Sequence, residues 1–373
     1  MRGSITPRLK VAIVAPTLGI LGGQAVQADR LLAGWRGDPD VEAWLVPINP
    51  RAHGVLGRLQ RIKYVRTLVT QWLYWPSLVR ELRRADVVHV FSASYVSFVL
   101  APWPAVRVAR ALGKPVVLNY HSGEAPDHLR RSALARRTLR TVDANIVPSR
   151  YLVEVFEGFD IPSRVIPNVI DGSRFRYRER RPLAPRLLST RSFEPHYNVA
   201  CTLRAFQRVQ ARFPDASLIL AGTGSERSAL EALAARLGLR GVTFLGAVPP
   251  DRMPDVYDTA DIYVQTPDLD NMPLSLLEAY ASGTPAVSTR VGGVPAMLED
   301  GVEGLLAPAG DHEAVADCVL RLLADADLGV RLARAARAAC AAYTWEATRD
   351  AWLDTYRSVL PQHRAAVQAV TAS

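Results

Sequence analysis

The sequence predicts an α/β protein with two doubly wound parallel sheets, one after the other along the chain. Short apolar runs such as KVAIVAP at residues 10–16 recur in both halves, and helical stretches separate them. Strands that alternate with helices are typical of βαβ crossovers and therefore of parallel sheets. The alternation pauses at a charged, proline-bearing segment, residues 174–185, which reads as a linker, and then resumes. Because 373 residues also exceed one ordinary core, we predict two domains, residues 1–180 and 181–345.

Each element of this alternation has its own signal. Apolar runs bounded by turn residues predict strands in the first half at residues 10–16, 41–48, 85–91, 114–119, 145–148 and 164–167. The same pattern predicts strands in the second half at residues 186–190, 217–221, 242–245, 262–265 and 285–288. The predicted helices include residues 24–35, 58–84, 103–112, 311–342 and 345–360. Open α/β sheets bind ligands beyond the carboxyl ends of their strands, so the expected site is a cleft between the two domains.

The charge is unevenly distributed between the two halves. Residues 1–183 carry 28 Lys and Arg against 14 Asp and Glu, whereas residues 184–373 carry 17 against 22. A basic half indicates an anionic partner, and nucleic acid, an acidic membrane surface and a phosphorylated substrate are the candidates. A general basic bias of an arginine-rich chain is the alternative. The sequence holds no recognisable nucleic-acid-binding module, so we do not expect nucleic acid as a partner.

Cysteine usage and hydropathy indicate the compartment. The three cysteines, Cys201, Cys318 and Cys340, are scattered along the chain, which argues against a disulfide framework or a zinc site. Residues 1–10 contain no apolar stretch of the kind found in signal peptides. No apolar run reaches the roughly 18–20 residues that span a bilayer. We therefore expect a cytoplasmic protein, in a peripheral position on the inner face of the membrane if its anionic partner is the membrane surface.

The segment richest in chemistry is TPDLDNMPLSLLEAYASGTPAVST at residues 266–289. Pro273 predicts a helix start, where unpaired amides and the positive end of the helix dipole favour a diphosphate. Asp270 lies just before this turn and can accept hydrogen bonds from sugar hydroxyls. Glu278 lies further along the helix and can reach a second polyol such as a ribose. The alternative is that Asp270 only caps the helix and that Glu278 forms a surface pair.

This segment resembles the acidic–x7–acidic motif of the retaining GT-B glycosyltransferases of family 4, also called glycosyl transferases group 1. The resemblance implies two Rossmann-like domains that face each other across a cleft, with a final helix in residues 346–373 crossing back to the first domain. It also implies a set of donor-binding residues in the loops that follow strands. These are Gly22, Gly23, Arg191, His196, Gly222, Thr223, Gly246, Asp270, Asn271, Met272, Pro273, Leu274, Ser275 and Glu278.

The resemblance extends to the first half of the chain. The loop NYHSGE at residues 119–124 follows a predicted strand and is similar to the family's histidine-bearing loop. His121 would lie over the reacting sugar, although a lone histidine after a strand also fits a structural role. The resemblance thus implies His121, Arg191 and Asp270 as catalytic residues. It places Gly23, His121 and Glu124 on the acceptor side.

One position departs from the family pattern. The family carries a lysine about five residues after the arginine that corresponds to Arg191, and here that position holds His196 or, with one extra residue, Tyr197. Stabilisation of the leaving diphosphate would then be weaker or would use another arginine. Asp268 and Asp270 also form a DxD pattern, which binds a metal in other glycosyltransferases. Two carboxylates are a poor cage by themselves, and we expect no required metal and no cofactor.

The function implied is retaining, metal-independent transfer of a sugar from a nucleotide sugar, with a UDP-sugar as the expected donor. The acceptor would be a glycan, a lipid-linked or cell-envelope molecule, or another small molecule. A nucleotide-sugar epimerase, a phosphorylase-like transferase and a non-catalytic nucleotide-sugar-binding protein are the alternatives. Residues 58–84 mix arginines with tryptophans, which indicates either contact with an anionic membrane or a packed helix with a basic outer face.

Overall fold

The computed structural model describes residues 8–19, 22–62 and 64–361. The chain divides into two compact units. The first contains the residues up to Val169 together with those from Thr348 onward, and the second runs from Ile170 to Ala347. The sequence predicts that a final helix in residues 346–373 crosses back to the first domain. Of these residues, 362–373 lie outside the described part of the chain.

The first unit is built on a parallel sheet of six described strands in the order β2-β1-β3-β4-β5-β6. The strands are β1 (Leu9–Ala15), β2 (Val41–Pro47), β3 (Val87–Ser92), β4 (Val116–Tyr120), β5 (Ala144–Val147) and β6 (Arg164–Val165). The helices that connect and cover them are α1 (Gly23–Gly34), α2 (Gly54–Leu59), α3 (Val65–Leu82), α4 (Tyr95–Leu100), α5 (Pro102–Ala111), α6 (Ala125–Arg131), α7 (Ala133–Thr141) and α8 (Arg150–Glu157). Because helices cover the sheet, β3, β4 and β5 are buried along their whole length, as expected of parallel strands.

The second unit repeats this plan with the strand order β12-β11-β10-β7-β8-β9, again entirely parallel in the described residues. The strands are β7 (Arg186–Ser189), β8 (Ser217–Ala221), β9 (Val242–Gly246), β10 (Ile262–Val264), β11 (Ala286–Thr289) and β12 (Gly304–Ala307). The helices are α9 (Val199–Arg212), α10 (Arg227–Arg236), α11 (Met253–Asp258), α12 (Leu274–Ser282), α13 (His312–Ala324) and α14 (Ala326–Ala339), and α15 (Trp345–Ser358) follows them. Both orders reverse direction inside the sheet, which is the doubly wound arrangement predicted from the sequence.

Three differences from the predicted elements have local causes. The strand β12 is not predicted, because its four residues follow directly on a turn. Residues 58–84 do not form one helix, since α2 ends at Leu59 and α3 begins after Tyr64, which has a φ of 72°. Residues 311–342 divide into α13 and α14, because the side chain of Asp325 accepts the amide of Leu328 and thereby starts a new helix.

The segment at residues 174–185 is packed into the second unit and is not a linker. The guanidinium of Arg180 is buried and donates to the carbonyl oxygens of Ala260 at 2.6 Å, Ser282 at 2.7 Å and Tyr257 at 3.0 Å. The composition of this segment predicts an exposed linker instead, because arginine is mostly an exposed residue. The boundary between the units therefore falls after Val169, earlier than the predicted boundary at residue 180.

The helix α15 packs into the first unit. Arg349 donates to Asp38 at 2.7 Å and to Asp40 at 2.6 Å, next to β2. Trp352 and Tyr356 extend from the same helix and contact the ring of His89 on β3. The hydroxyl of Tyr356 lies 2.8 Å from His89 Nδ1. This part of α15 is therefore held to the first sheet by both ion pairs and aromatic packing.

Candidate active site

Two neighbouring strands of the second sheet position the central pair of side chains. The strands β7 and β10 are adjacent and parallel. Arg191 follows the carboxyl end of β7, and Asp270 lies in the loop that follows β10. Because the carboxyl ends of parallel strands meet at one edge of a sheet, residues distant in sequence converge there. Nη2 of Arg191 donates to Oδ2 of Asp270 at 2.6 Å, so these two predicted site residues form an ion pair.

This ion pair is removed from solvent. Arg191 is 8% exposed and Asp270 is 9% exposed. Burial, the largest single influence, would lower the pKa of Arg191, but the Asp270 carboxylate together with the surrounding tyrosines raises that pKa above its ordinary value. Arg191 is therefore always a cation. Its Nε is buried and has no hydrogen-bond partner in the described part of the protein, which leaves a donor for a ligand atom.

A chain of polar side chains fixes the guanidinium at the start of α12. Nη1 of Arg191 donates to Oγ of Ser275 at 3.0 Å, and Ser275 in turn donates to Oε1 of Gln265 at 3.1 Å. Gln265 also accepts from the hydroxyl of Tyr263 and donates to Ser288. All of these groups are buried, so the network holds Arg191 in one orientation.

The helix α12 begins as the sequence predicts, one residue after Pro273. No side chain caps its N-terminus, and its first turn contains no acidic residue. The amides of Leu274 and Ser275 therefore add the positive end of a helix dipole to the charge of Arg191. Glu278 lies half-buried one turn further along, on the same side of the helix as Leu274. Pro273 and Ser275, at the start of the same helix, are both buried.

The loop between Asp270 and α12 is packed against a second loop that the sequence analysis missed. Asn271 and Met272 are buried. The amide of Gly293 donates to the carbonyl of Asp270 at 3.2 Å, and a Cβ at Gly293 would lie 2.1 Å from the carbonyl oxygen of Asn271. The glycine pair at residues 292–293 was the available signal, because backbone this close to backbone tolerates only glycine.

The glycine turn at residues 222–224 lies against the Arg191 loop. A Cβ at Gly222 would lie 2.1 Å from the carbonyl oxygen of Arg191, and one at Gly224 would lie 2.3 Å from that of Phe193. The amide of Phe193 also donates to the carbonyl of Thr223 at 2.9 Å. This turn therefore supports the backbone that carries Arg191. Gly222 and Thr223, two of the predicted donor-binding residues, therefore lie next to the loop of Arg191.

Of the two candidates for the missing lysine position, Tyr197 is the one that contacts Arg191. Its ring lies 4.0 Å from the guanidinium carbon, within range of a cation–π contact. His196 is half-buried beside it, with ring centroids 4.1 Å apart. The backbone carbonyl of His196 accepts the amide of Asp268 at 2.9 Å. The position thus supplies an aromatic face against Arg191 in place of a second fixed cation.

Gly246 lies at the end of β9, with a φ of 78° that suits glycine. The guanidinium of Arg227 lies near it, and also lies 5.4 Å above the ring of Phe244. Arg227 and Phe244 are thus the described neighbours of Gly246, which the resemblance implies as a donor-binding residue.

The remaining predicted residues belong to the first unit, where they lie at the start of α1 and in the loop after β4. Gly22 caps α1 with its backbone, and Gly23 is the first residue of that helix. The carbonyl of Ser92 accepts both the side-chain amide of Gln24 at 3.0 Å and the backbone amide of His121 at 3.3 Å. The start of α1 and the loop after β4 are therefore neighbours. Glu124 is half-buried at the start of α6, and its amide donates to Ser122 Oγ at 3.2 Å.

The ring of His121 is stacked on Phe91, with centroids 5.1 Å apart. It lines a small cavity of about 10 Å³ together with Gln27, Asn119 and Trp352. Nε2 of His121 and Oδ1 of Asn119 are buried there without a partner in the described residues. Burial lowers the pKa of His121 to about 4, so its imidazole is neutral at pH 7.

Acidification should destabilise the first unit through its buried histidines. Burial lowers the pKa of His89 to about 3 and that of His128 to about 4, below the value of about 6.5 in an unfolded chain. The unfolded chain then binds more protons, so the stabilisation is complete above pH 6.5 and is lost as the pH falls toward 4. We expect His89→Phe to reduce the loss of unfolding free energy between pH 7 and 5 by about 2 kcal/mol. Urea unfolding at both pH values measures this, and the exposed His53→Gln is the control, whose pH dependence should match that of the unaltered protein.

The two aspartates of the DxD pattern are bound to different partners. Oδ1 of Asp268 accepts from Asn198 Nδ2 at 3.1 Å, whereas Asp270 pairs with Arg191. Within residues 8–19, 22–62 and 64–361, no group of three or more histidine, cysteine or acidic side chains is arranged to hold a metal ion.

Comparison with known families agrees with this arrangement. The family model described as Glycosyltransferase Family 4 matches residues 22–174, and the model described as Glycosyl transferases group 1 matches residues 176–339. The two models follow one another and together account for both units. The chain belongs to glycosyltransferase family 4.

Among curated relatives of this family 4 chain is the D-inositol 3-phosphate glycosyltransferase of Nocardia farcinica, which is 28% identical over 290 residues, covering 72% of this chain and 64% of the relative. Across the curated relatives of that name, the matched region spans between 37% and 66% of the relative's length.

Two solved structures show the fold. The sucrose-phosphate synthase of Thermosynechococcus elongatus has a TM-score of 0.74 at 20% identity and covers 98% of this chain and 100% of its own. The Anabaena protein HepE, solved in complex with UDP-glucose, has a TM-score of 0.72 at 18% identity and covers 94% and 100%. The fold of this family 4 chain is therefore GT-B, as the sequence predicts.

Proposed function

We propose that this protein is a retaining glycosyltransferase that transfers a sugar from a nucleotide diphosphate sugar to an acceptor hydroxyl. The observation that carries the proposal is the buried Arg191 at the uncapped start of α12. A fixed cation, an orphan Nε donor and two open helix amides meet at one point, which suits a diphosphate. Family membership supports the same reading.

The barrier to sugar transfer falls mainly by stabilising the negative charge that develops on the leaving diphosphate. Arg191 and the amides of Leu274 and Ser275 would supply this stabilisation. They are fixed before the donor arrives, because Ser275 and Gln265 hold the guanidinium in place. No reorganisation energy is then spent during the reaction.

The carboxylates serve the two sugars of the donor in this proposal. Asp270 would exchange its bond with Arg191 for hydrogen bonds with the transferred sugar. Glu278, one turn along α12, would accept from the hydroxyls of the ribose. The donor would be a UDP-sugar, which is supported by the UDP-glucose complex of the Anabaena protein of the same fold.

Retention would follow from attack on the same face from which the leaving group departs, with the leaving phosphate accepting the acceptor's proton. His121 would orient the sugar as a neutral imidazole, since burial keeps its pKa near 4. It would act neither as a nucleophile nor as a cation. The reaction as proposed uses no metal, because Arg191 and the helix start already neutralise the diphosphate.

The acceptor would bind to the first unit and carry an anionic group. The excess of basic residues in the first half of the chain supports this assignment. The names of several relatives support it too, since D-inositol 3-phosphate is a phosphorylated polyol. A lipid-linked phosphorylated acceptor presents the same chemistry to the protein.

The proposal is tested by thermal unfolding with UDP, GDP, ADP, dTDP and their sugars, followed by product analysis. We expect the matching nucleotide at about a hundred times its Kd to raise the melting temperature by about 5–10 °C. The stabilising sugar nucleotide is then incubated with and without D-inositol 3-phosphate, and NMR reads the anomeric configuration of the product. A product with the donor's configuration is expected.

Three results would contradict the proposal in different ways. Binding without any turnover would indicate a non-catalytic nucleotide-sugar-binding protein. A changed sugar nucleotide formed without acceptor would indicate an epimerase. A product with the inverted anomeric configuration would agree with a glycosyltransferase but would contradict the retaining mechanism.

A further inference from the structure

A row of exposed apolar side chains runs along the first half of α3. Leu68, Trp72 and Trp75 are spaced four and three residues apart, which places them on one face of α3, and the exposed Tyr64 directly precedes the helix. Leu68 is 73% exposed and Trp72 is 67% exposed. Val55 and Ile62 extend the row toward α2 and are also exposed. We call these six residues the α3 surface.

The side chains of this row do not contribute to the core of the first unit. The residues of α3 that pack inward are Val69, Tyr74, Leu78 and Leu82, all of them buried. Burying Leu68 and Trp72 instead would require a rotation that exposes part of this set. A contiguous apolar patch left exposed on a protein surface marks an interaction site.

The middle of α3 is hydrogen-bonded to the end of α4. The side-chain amide of Gln71 donates to the carbonyl of Leu100 at 2.9 Å, and the hydroxyl of Tyr74 donates to that of Ala101 at 3.0 Å. These bonds fix the end of α4 against the middle of α3. Val96 and Val99 on α4 are also exposed. These hydrogen bonds hold α3, and with it the α3 surface, in a fixed position on the first unit.

The charge around the α3 surface has one sign. Residues 43–80 contain six Lys and Arg and not a single Asp or Glu. Arg58, Arg61 and Arg66 are exposed close to the apolar row. This combination disfavours a second copy of the chain as the occupant, because two such faces would repel each other. It is complementary to an anionic surface that also accepts apolar side chains.

We propose that the α3 surface docks the protein on the surface of an anionic lipid bilayer. Trp72 and Leu68 would enter the boundary between headgroups and acyl chains, while Arg58 and Arg61 would contact the headgroup charge. Docking of this kind is peripheral, and none of the described helices has the length and apolar character needed to cross a bilayer. The inference stands on this surface alone and does not depend on the chemistry of the donor site.

Flotation of the full-length protein with vesicles tests the proposal. We expect binding to phosphatidylcholine vesicles that contain about one third phosphatidylglycerol, weaker binding at high salt, and little binding to phosphatidylcholine alone. The double variant Leu68→Ser with Trp72→Ser should lower partitioning about tenfold or more, because both side chains lose apolar burial. Arg58→Gln with Arg61→Gln should lower it by about fivefold for each charge removed.

Matched controls come from the second unit. Val302→Ser removes an exposed apolar side chain, and Arg236→Gln removes an exposed charge. Neither should change flotation. The melting temperature and the shift produced by UDP report whether each variant is folded and binds nucleotide, so a failure of the membrane inference is separable from a failure of the proposed function.

Three outcomes would overturn the inference. The unaltered protein could stay with the unbound fraction, or float equally well with neutral vesicles. The α3 surface variants could bind as well as the controls do. Light scattering could show a dimer that dissociates only in the Leu68 and Trp72 variant, which would assign the surface to a second copy of the chain.

Discussion

Replacing Arg191 by methionine should lower kcat/KM for sugar transfer by about a thousandfold. Methionine fills a similar volume but carries no charge, so under the proposed function the leaving diphosphate would lose its fixed cation. Removing one preorganised donor from developing negative charge costs about 10²–10³ in rate. Initial-rate kinetics with a saturating acceptor measures the loss.

Arg186 provides a control at the other end of the same strand, where its partly exposed side chain pairs with a buried aspartate. Arg186 donates to the buried Asp261 at 2.7 Å, at the amino end of β7. Arg186→Met should destabilise the fold while leaving transfer within about threefold, because ligands bind at the carboxyl ends of the strands. Equal losses of activity in both variants would mean that Arg191 matters only for folding. Arg191→Lys, which keeps the charge, should recover part of the rate.

Replacing Asp270 by asparagine should lower transfer by about a hundredfold and yet preserve or tighten the binding of free UDP. The Asp270 carboxylate forms an ion pair with Arg191 at 2.6 Å. Asparagine keeps the shape but not the charge, so Arg191 becomes more available to a diphosphate. The transferred sugar loses a charged hydrogen-bond acceptor, and this loss affects turnover. Calorimetry with UDP and kinetics with the UDP-sugar separate the two effects.

Asp268→Asn is the neighbouring control. Its carboxylate accepts from Asn198 and lies two residues from Asp270 in the same loop. We expect a change in transfer of less than about threefold, because this carboxylate has no contact with Arg191. If Asp270→Asn instead weakened UDP and the UDP-sugar equally, the role of Asp270 would be to hold the loop. A large effect at Asp268 would revive the metal-binding interpretation of the DxD pattern.

The sequence predicted the architecture well, because parallel strands are marked by their apolar runs. It missed β12, whose signal is only four residues long, and it placed a linker where Arg180 is buried among carbonyl oxygens. The linker error has a physical origin. Composition reports the average environment of a residue type, whereas three of the carbonyl partners of Arg180, those of Tyr257, Ala260 and Ser282, lie 77 to 102 residues away in sequence.

From the sequence, the individual residues of the candidate site could be proposed, but the contacts between them could not. The motif around Asp270 and the position of Arg191 could be recognised separately. Nothing in the sequence indicates that they pair with each other, or that Tyr197 covers the guanidinium. Those contacts depend on the adjacency of β7 and β10, which a linear pattern does not specify. The exposure of Trp72 was open for the same reason, since an amphipathic helix does not reveal how much of its apolar face is covered.

The Arg191–Asp270 pair has a consequence for selectivity among the anions of the cell. A vacant site that contained Arg191 alone would attract any phosphate, and inorganic phosphate would compete with the donor. With Asp270 in place, a simple anion must displace a carboxylate and leave it unpaired beside a like charge, which is unfavourable in a buried position. A nucleotide sugar offers a diphosphate to the arginine and hydroxyls to the aspartate at the same time. The pair would therefore favour ligands that carry both a diphosphate and hydroxyl groups at the correct spacing, and would disfavour simple anions.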